Sequence, residues 1–569
     1  MLLKLSSLYM LKDRWRQVEY PTHITVSLPR FFNPKTLLFP DGRGAEKKQQ
    51  QSEPERSPPS SSFPSASSTA YLDALRGYAA WIVFLAHGWD EFHFSATRQP
   101  ILSIIVAAKS MVALFFVISG YVLSYRLLVM THDRYHRRHR RHYHHRRQSL
   151  DIDLSHDHDK ILQTLAGSTF RRGVRLWGSS IFALSISGLL VCMGWDGGYG
   201  DDRLRKDTLW EQIADWFHRL AWFMNPFVEV DGYFWGGTLQ NEYLGPMWTI
   251  PVEIRGSMIL FLFLVATCMM SFRKRAILTW TTILACYFWT KLYVAQFLMG
   301  MAIADVSLNR QYHYLLLQQQ QELDQERRQR YSRLSTTGSR EPSCSPFYVH
   351  SRTASSSSSS SSTGSLIEDP LEHYPSVLPL SSPSSMSSSD NDEFATAPYP
   401  VQSRRSKIIW IAVFATGIFL LGQPDPSSGD DLGVFGDFPW KYLHAVIPSQ
   451  YDNSFAQTYF YLGIGGFLLI LALEMYPVLR TPLNTPFSQY VGDLSFGIYA
   501  MHPIIVIMVI RQWYEPCVRA QLFGHGFWAH VPGMVLTHGL VFTCADYFSR
   551  VDYRVVVLAR RVQAWFFDG

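Results

Sequence analysis

An arginine and a histidine stand eleven residues apart in one apolar run, YLDALRGYAAWIVFLAHG at 71–88, with no charge between them. Read as a helix, that spacing is about three turns. Arg76 and His87 then share a face, roughly 16 Å apart along the axis. An ionisable side chain inside a membrane is costly and marks function by default. A guanidinium pairs phosphate oxygens bidentately. An imidazole takes and returns a proton near working pH. Two more apolar stretches carry groups of the same kind: Glu253 in PMWTIPVEIRGSM, and His502 in LSFGIYAMHPIIV. Arg172 and Arg175 open a further span at FRRGVRLW. The competing structural reading makes Arg76 an interfacial anchor, His87 a headgroup-level residue, and Glu253 the ion-pair partner of Arg255.

The elements that must position these groups are membrane helices. Of the 569 residues 47% are hydrophobic and only 17% charged, below the roughly 25% of soluble domains. Long apolar runs alternate with very polar segments, which predicts an all-α integral membrane protein. About ten transmembrane helices are expected, near 71–89, 101–129, 174–195, 246–270, 276–290, 292–306, 407–422, 456–476, 488–511 and 527–548. The stretch DTLWEQIADWFHRLAWFM reads as an amphipathic helix lying at the interface. Residues 1–70 are polar and proline-rich, a disordered tail, and MLLKLSSLYM lacks the apolar core of a signal peptide. Residues 307–405, with a glutamine run and a run of eight serines, read as a low-complexity cytoplasmic insertion. The membrane domain is therefore expected in two parts, 71–306 and 406–569.

Basic residues set the orientation. The 130–173 loop, Arg273-Lys274-Arg275 and the C-terminal tail are basic, whereas 196–245 and 423–455 carry the aspartates. By the positive-inside rule both termini are cytoplasmic. On that topology depth alone places His87, Glu253 and His502 in the outer half of the bilayer. It places Arg76, Arg172 and Arg175 at a cationic inner mouth suited to a phosphorylated donor. The His/Arg run at 132–147 is read as a solvated loop against anionic lipid headgroups. Interleaved arginines argue against a metal there, and its place between two spans argues against nucleic acid. Six cysteines show no zinc spacing and no disulfide framework.

These blocks together resemble the membrane-bound acyltransferase-3 family in its fungal form. YLDALRGYAAWIVFLAHG is similar to its arginine–ten residues–histidine opening, and FFVISGYVLS at 115–124 to its second-helix signature. FRRGVRLW resembles its Arg-x-x-Arg element and PMWTIPVEIRGSM its Trp-Thr-Ile-x-x-Glu block. FLMGMAIAD at 297–305 and LSFGIYAMHPIIV match later blocks. Gly178 stands where the family pattern has proline, and the insertion at 130–173 is unusual. The resemblance implies transfer of an acyl group, usually acetyl, from acyl-CoA to a hydroxyl of a carbohydrate or small metabolite. It makes His87 the catalytic histidine, Arg76 its partner in donor binding or in shaping the site, and Arg172 and Arg175 the second arginine motif.

The expectation is an integral membrane O-acyltransferase. Its candidate catalytic residues are His87, Glu253 and His502. Its candidate substrate-binding residues are Arg76, Arg172 and Arg175. Acyl-CoA is a co-substrate, and neither a bound cofactor nor a metal is called for. A covalent acyl-histidine is the alternative mechanism. A proton-coupled transporter or flippase using the same groups is the alternative function.

Overall fold

The computed structural model describes residues 29–32, 69–88, 102–142, 150–194, 204–225, 242–337, 403–423, 439–451, 454–524 and 527–567. Among them every regular element is helical. In chain order these are α1 (Ala70–Gly88), α2 (Ala108–His142), α3 (Leu150–Cys192), α4 (Leu209–Phe223), α5 (Thr249–Thr267) and α6 (Phe272–Phe288). They continue as α7 (Leu292–Thr337), α8 (Arg404–Leu421), the short α9 (Trp440–Ala445), α10 (Ser454–Met475) and α11 (Pro486–Ile504). A π-helical segment (Ile505–Phe523) leads into α12 (Phe527–Phe567).

Six helices among the described residues are long and apolar enough to cross a membrane: 108–135, 159–192, 245–267, 292–329, 457–475 and 486–507. This is a multi-pass membrane architecture. The other four expected spans are helical too, within α1, α6, α8 and α12, but are short or rich in polar groups. Asp73, Arg76 and His87 interrupt α1; α8 opens Arg404-Arg405-Ser406-Lys407. Of these, α1 is sheltered by its neighbours. The face of α1 that carries Leu72, Ala79, Ala80, Val83 and Phe84 is buried.

Small residues set the helix spacing. A Cβ on Gly77 of α1 would collide with the Val491 backbone of α11, and one on Gly492 with the Asp73 backbone of α1. Gly120 of α2 and Gly300 of α7 meet in the same reciprocal way. Without a hydrophobic drive between helices in lipid, such close backbone approach is what holds them together.

Buried ion clusters tie one end of the bundle. Asp305 of α7 accepts from Arg275 Nε at 2.8 Å and Nη2 at 2.5 Å, and His132 of α2 sits 2.8 Å from the same carboxylate. Glu474 of α10 accepts from Tyr71 at 2.6 Å, Ser307 at 2.5 Å and Arg480 at 2.7 Å.

Three stretches differ from the expected layout. The basic loop after the second span is helical at both ends, since α2 runs on to His142 and α3 begins at Leu150. His132, read with a solvated run, is buried against Asp305. The insertion expected from 307 is helical to Thr337, because its Gln, Glu, Leu and Arg residues are strong helix formers. Residues 338–402 lie outside the described residues. Of the expected tail, Pro29–Phe32 is described: Arg30 pairs with Asp546, and Phe31 packs on the core. The amphipathic helix expected over 207–224 is α4. Thr208 and Glu211 form a capping box, and Leu209, Trp210, Phe217 and Trp222 are exposed on its surface.

Candidate active site

Helix α1 carries Arg76 near its start and His87 at its end. His87 stacks on His502 of α11, with ring centroids 5.4 Å apart and planes 18° apart. His502 is fully buried. Its Nδ1 donates to the Ile498 carbonyl at 3.0 Å, the turn-back bond of its own helix. That bond fixes the tautomer and leaves Nε2 with the lone pair. Nε2 has no hydrogen-bond partner. The sequence separates these two histidines by 415 residues; the packing of α1 on α11 stacks them.

Arg76 opens on a different space. It lines a cleft of about 450 Å³, mouth included, with Glu253, Thr249, Phe115 and Tyr499 among the walls. Its Nε is buried and has no hydrogen-bond partner, and Asp73 is 3.9 Å away and exposed. Glu253 faces this cleft but is already engaged. Arg172 Nη2 donates to its Oε1 at 2.6 Å and Ser119 at 3.0 Å. Arg172 Nε also donates to Ser257 at 2.6 Å, and Ser257 to the Glu253 carbonyl at 2.5 Å. Arg175 points elsewhere, to Asp552 at 3.2 Å, a carboxylate shared with Ser179 at 2.7 Å.

Arg76, Arg172 and Glu253 thus come together, as do His87 and His502. Glu253 does not join the histidines, as depth alone had placed it, nor does it pair with Arg255. Its partner is Arg172, because a carboxylate half inside a bundle is stable only with a cation and donors around it. Arg175 still contributes to the field: Arg172 feels the charge of both Arg175 and Arg76. Tyr499 links the two groups. It is a wall of the cleft, and its ring lies 6.0 Å from His502. Its hydroxyl contacts Thr249 Oγ1 at 2.6 Å and donates to the Pro246 carbonyl.

The acyltransferase-domain family model matches residues 69–349, a stretch that includes Arg76, His87, Arg172 and Glu253. Residues 69–349 carry an acyltransferase-3 domain. Curated relatives agree. The chain is 27% identical over 269 residues to "O-acetyltransferase PaAT-1" of Phomopsis amygdali, covering 42% of this chain and 49% of that protein. It is 24% identical over 243 residues to "Acyltransferase clz18" of Cochliobolus lunatus, covering 34% and 48%. It is 23% identical over 245 residues to "Acyltransferase R4" of Phoma sp. (strain ATCC 20986 / MF5453), covering 34% and 48%. The chain spans about half the length of these relatives. No solved structure matches it.

The acyltransferase-3 domain as matched stops short of His502 and Tyr499, so the stacked pair is completed from the second half of the chain. Sequence reasoning missed Ser119, Ser257 and Tyr499. All three sit inside the quoted blocks, FFVISGYVLS, PMWTIPVEIRGSM and LSFGIYAMHPIIV. Tyr499 is three residues before His502, hence on its face. That spacing was the available signal.

Proposed function

We propose that this protein is an integral membrane O-acyltransferase that moves an acyl group, acetyl foremost, from acyl-CoA to a hydroxyl of a carbohydrate or small metabolite. The observation that carries the reading is the pairing of two sites along α1. An arginine with an unmet donor lines a cleft at one end, and two stacked imidazoles stand at the other. A phosphate at Arg76 would lie about 16 Å from His87 by helical rise, a span an extended pantetheine arm bridges. The thioester then lies at the histidines.

His87 acts as base. It takes the hydroxyl proton as the oxygen attacks the thioester carbonyl carbon. The tetrahedral adduct collapses, the C–S bond breaks, and the CoA thiolate leaves and recovers the proton from the imidazolium. His502 beside it has a free lone pair and its other nitrogen tied to the backbone. Stacked imidazoles can pass one proton but resist carrying two. Glu253 acts by holding Arg172 in place, and Arg175 adds positive field at the donor mouth. Both termini face the cytoplasm in this reading, on the strength of the basic segments. The fungal acetyl- and acyltransferases named above support the reaction class.

The test is transfer from radiolabelled acetyl-CoA to a mixed extract of glycans and metabolites, in membranes holding wild type or His87→Ala. Labelled product with wild type and none with the variant, at equal expression, is the expected result. Equal product in both removes His87 from the reaction. Uptake of labelled solute with no acylated product would make the protein a transporter.

A further inference from the structure

We infer that Arg126, Arg171 and Arg560 form a binding site for a phosphate group, carried by an anionic lipid headgroup or by a soluble phosphate ester. The three stand on three helices, α2, α3 and α12. None of them lines the Arg76 cleft. The transfer reaction above uses none of them, so the site stands or falls apart from that reading.

Arg171 is the centre of the group. Its guanidinium turns back over Gly167, where an added Cβ would come 3.0 Å from Nη1. Nη1 donates to Gln563 Oε1 of α12 at 2.5 Å. Arg560 precedes Gln563 by three residues and shares its face of the helix. The two helices run antiparallel: Phe170 meets Phe566, Arg171 meets Gln563, Arg175 meets Asp552 and Phe182 meets Phe548. Helical side chains lean toward their own N-terminus, so Arg171 and Arg560 lean toward each other. Arg126 lies seven residues beyond Ser119, two turns along the same face of α2. Ser119 bonds Glu253, and Glu253 bonds Arg172, the neighbour of Arg171. Arg171 accordingly feels the charge of both Arg126 and Arg560.

No carboxylate answers these charges. Arg172 and Arg175 beside them are paired, with Glu253 and Asp552. Among the described residues Arg171 bonds only the uncharged Gln563, and Arg126 and Arg560 have no acidic partner. Both are exposed. Like charges gathered where water screens them poorly are stabilised by an anion between them. Phosphate oxygens take guanidinium donors in pairs, and basic pockets between membrane helices hold lipid headgroups this way. Aromatic surroundings favour the lipid source. Phe170 packs on Phe566 and Phe567, at 5.7 Å each, while Trp565, Phe566 and Phe567 are exposed. Exposed aromatic rings at the end of a membrane helix belong at headgroup level.

The test is equilibrium binding to full-length protein in a non-ionic detergent, in two arms. One arm titrates dioctanoyl phosphatidic acid, with dioctanoyl phosphatidylcholine as control; the other titrates radiolabelled CoA. Arg126→Gln and Arg560→Gln lie on different helices and remove exposed groups that hold no acidic partner, so both should fold. Each should weaken phosphatidic acid about ten-fold or more, the worth of a charge-assisted bond, and leave phosphatidylcholine unchanged. Arg561→Gln removes the same charge next door, outside the group that Arg171 feels, and should bind like wild type. Weakening confined to CoA keeps the site and gives its phosphate to the soluble ester. Unchanged affinity in both arms, or an equal loss in Arg561→Gln, leaves only diffuse attraction and overturns the site.

Discussion

Arg76 is the one arginine of three at the cleft end whose hydrogen-bonding capacity is unmet. Glu253 holds Arg172 and Asp552 holds Arg175, so on the proposed reading a phosphorylated donor would find its strongest partner at Arg76. A charge-assisted bond is worth about 1.5–3 kcal/mol. Arg76→Ala should therefore raise KM for acetyl-CoA some ten- to hundred-fold, with Arg76→Lys in between, and steady-state kinetics with varied donor would show it. At the other end, His87→Ala and His502→Ala should each lower kcat by about 10²–10⁴, the range for a positioned acid or base. If the stacked rings work as a unit, the double variant loses little more than the worse single. An additive loss would separate their roles. The Arg76–His87 spacing made both residues legible in the sequence. The partner of Glu253 was not legible, because residue counting gives height along a bundle and nothing of the angle around it. Three helices, α2, α3 and α5, had to be packed before Ser119, Arg172 and Glu253 could meet.

The stacked histidines depend on how closely α1 and α11 approach. Gly77 and Gly492 touch the opposite backbones, so any larger side chain must push the helices apart. Overpacking costs about 1–3 kcal/mol and often more where backbone is the obstacle. Gly492→Leu should lower the thermal midpoint in detergent and reduce kcat, even though residue 492 is nearly three turns from His502. The Asp305 cluster makes the same point through charge. Asp305→Asn leaves buried Arg275 without its carboxylate, and breaking such a pair costs about 3–5 kcal/mol. Thermal unfolding followed by intrinsic fluorescence would report it. At this scale the sequence was informative about which segments are helical, since long apolar runs announce themselves. It was less so about where helices end. The glutamine-rich stretch after 306 looked like an insertion because it is polar, yet polarity excludes burial and not helix. The same limit hid His132, whose neighbours in sequence are exposed-looking arginines but whose neighbour in space is Asp305.

Across the whole molecule, charge does two jobs that composition cannot separate. Arg273 and Lys274 are exposed, as an orientation signal needs, whereas Arg275 beside them is buried in an ion cluster. The net charge of +6 counts both alike. Arg30 shows how far such a pairing can reach. It stands ahead of the membrane domain, 516 residues from Asp546, and donates to that fully buried carboxylate at 2.6 Å. It also reaches Asp493 at 3.5 Å and Ser549 at 3.2 Å, and lies over the Tyr490 ring. One side chain thus bridges α11, which carries His502, and α12, which carries His538. Nothing in a proline-rich leader announces this, because the signal is a single arginine in a polar segment. Asp546 keeps Arg550 when Arg30 is lost, at 2.9 Å, so the cluster weakens without collapsing. Arg30→Ala should then cost about 1.5–3 kcal/mol, the worth of a charge-assisted bond, seen as a lower thermal midpoint. Because the bridge fixes α12 against α11, the helix that carries His502, the variant should also lower kcat on the proposed reading while leaving KM for acetyl-CoA unchanged. A variant that matched wild type in midpoint and kcat would show that Arg30 merely rests on the bundle, with Arg550 alone sufficient for Asp546.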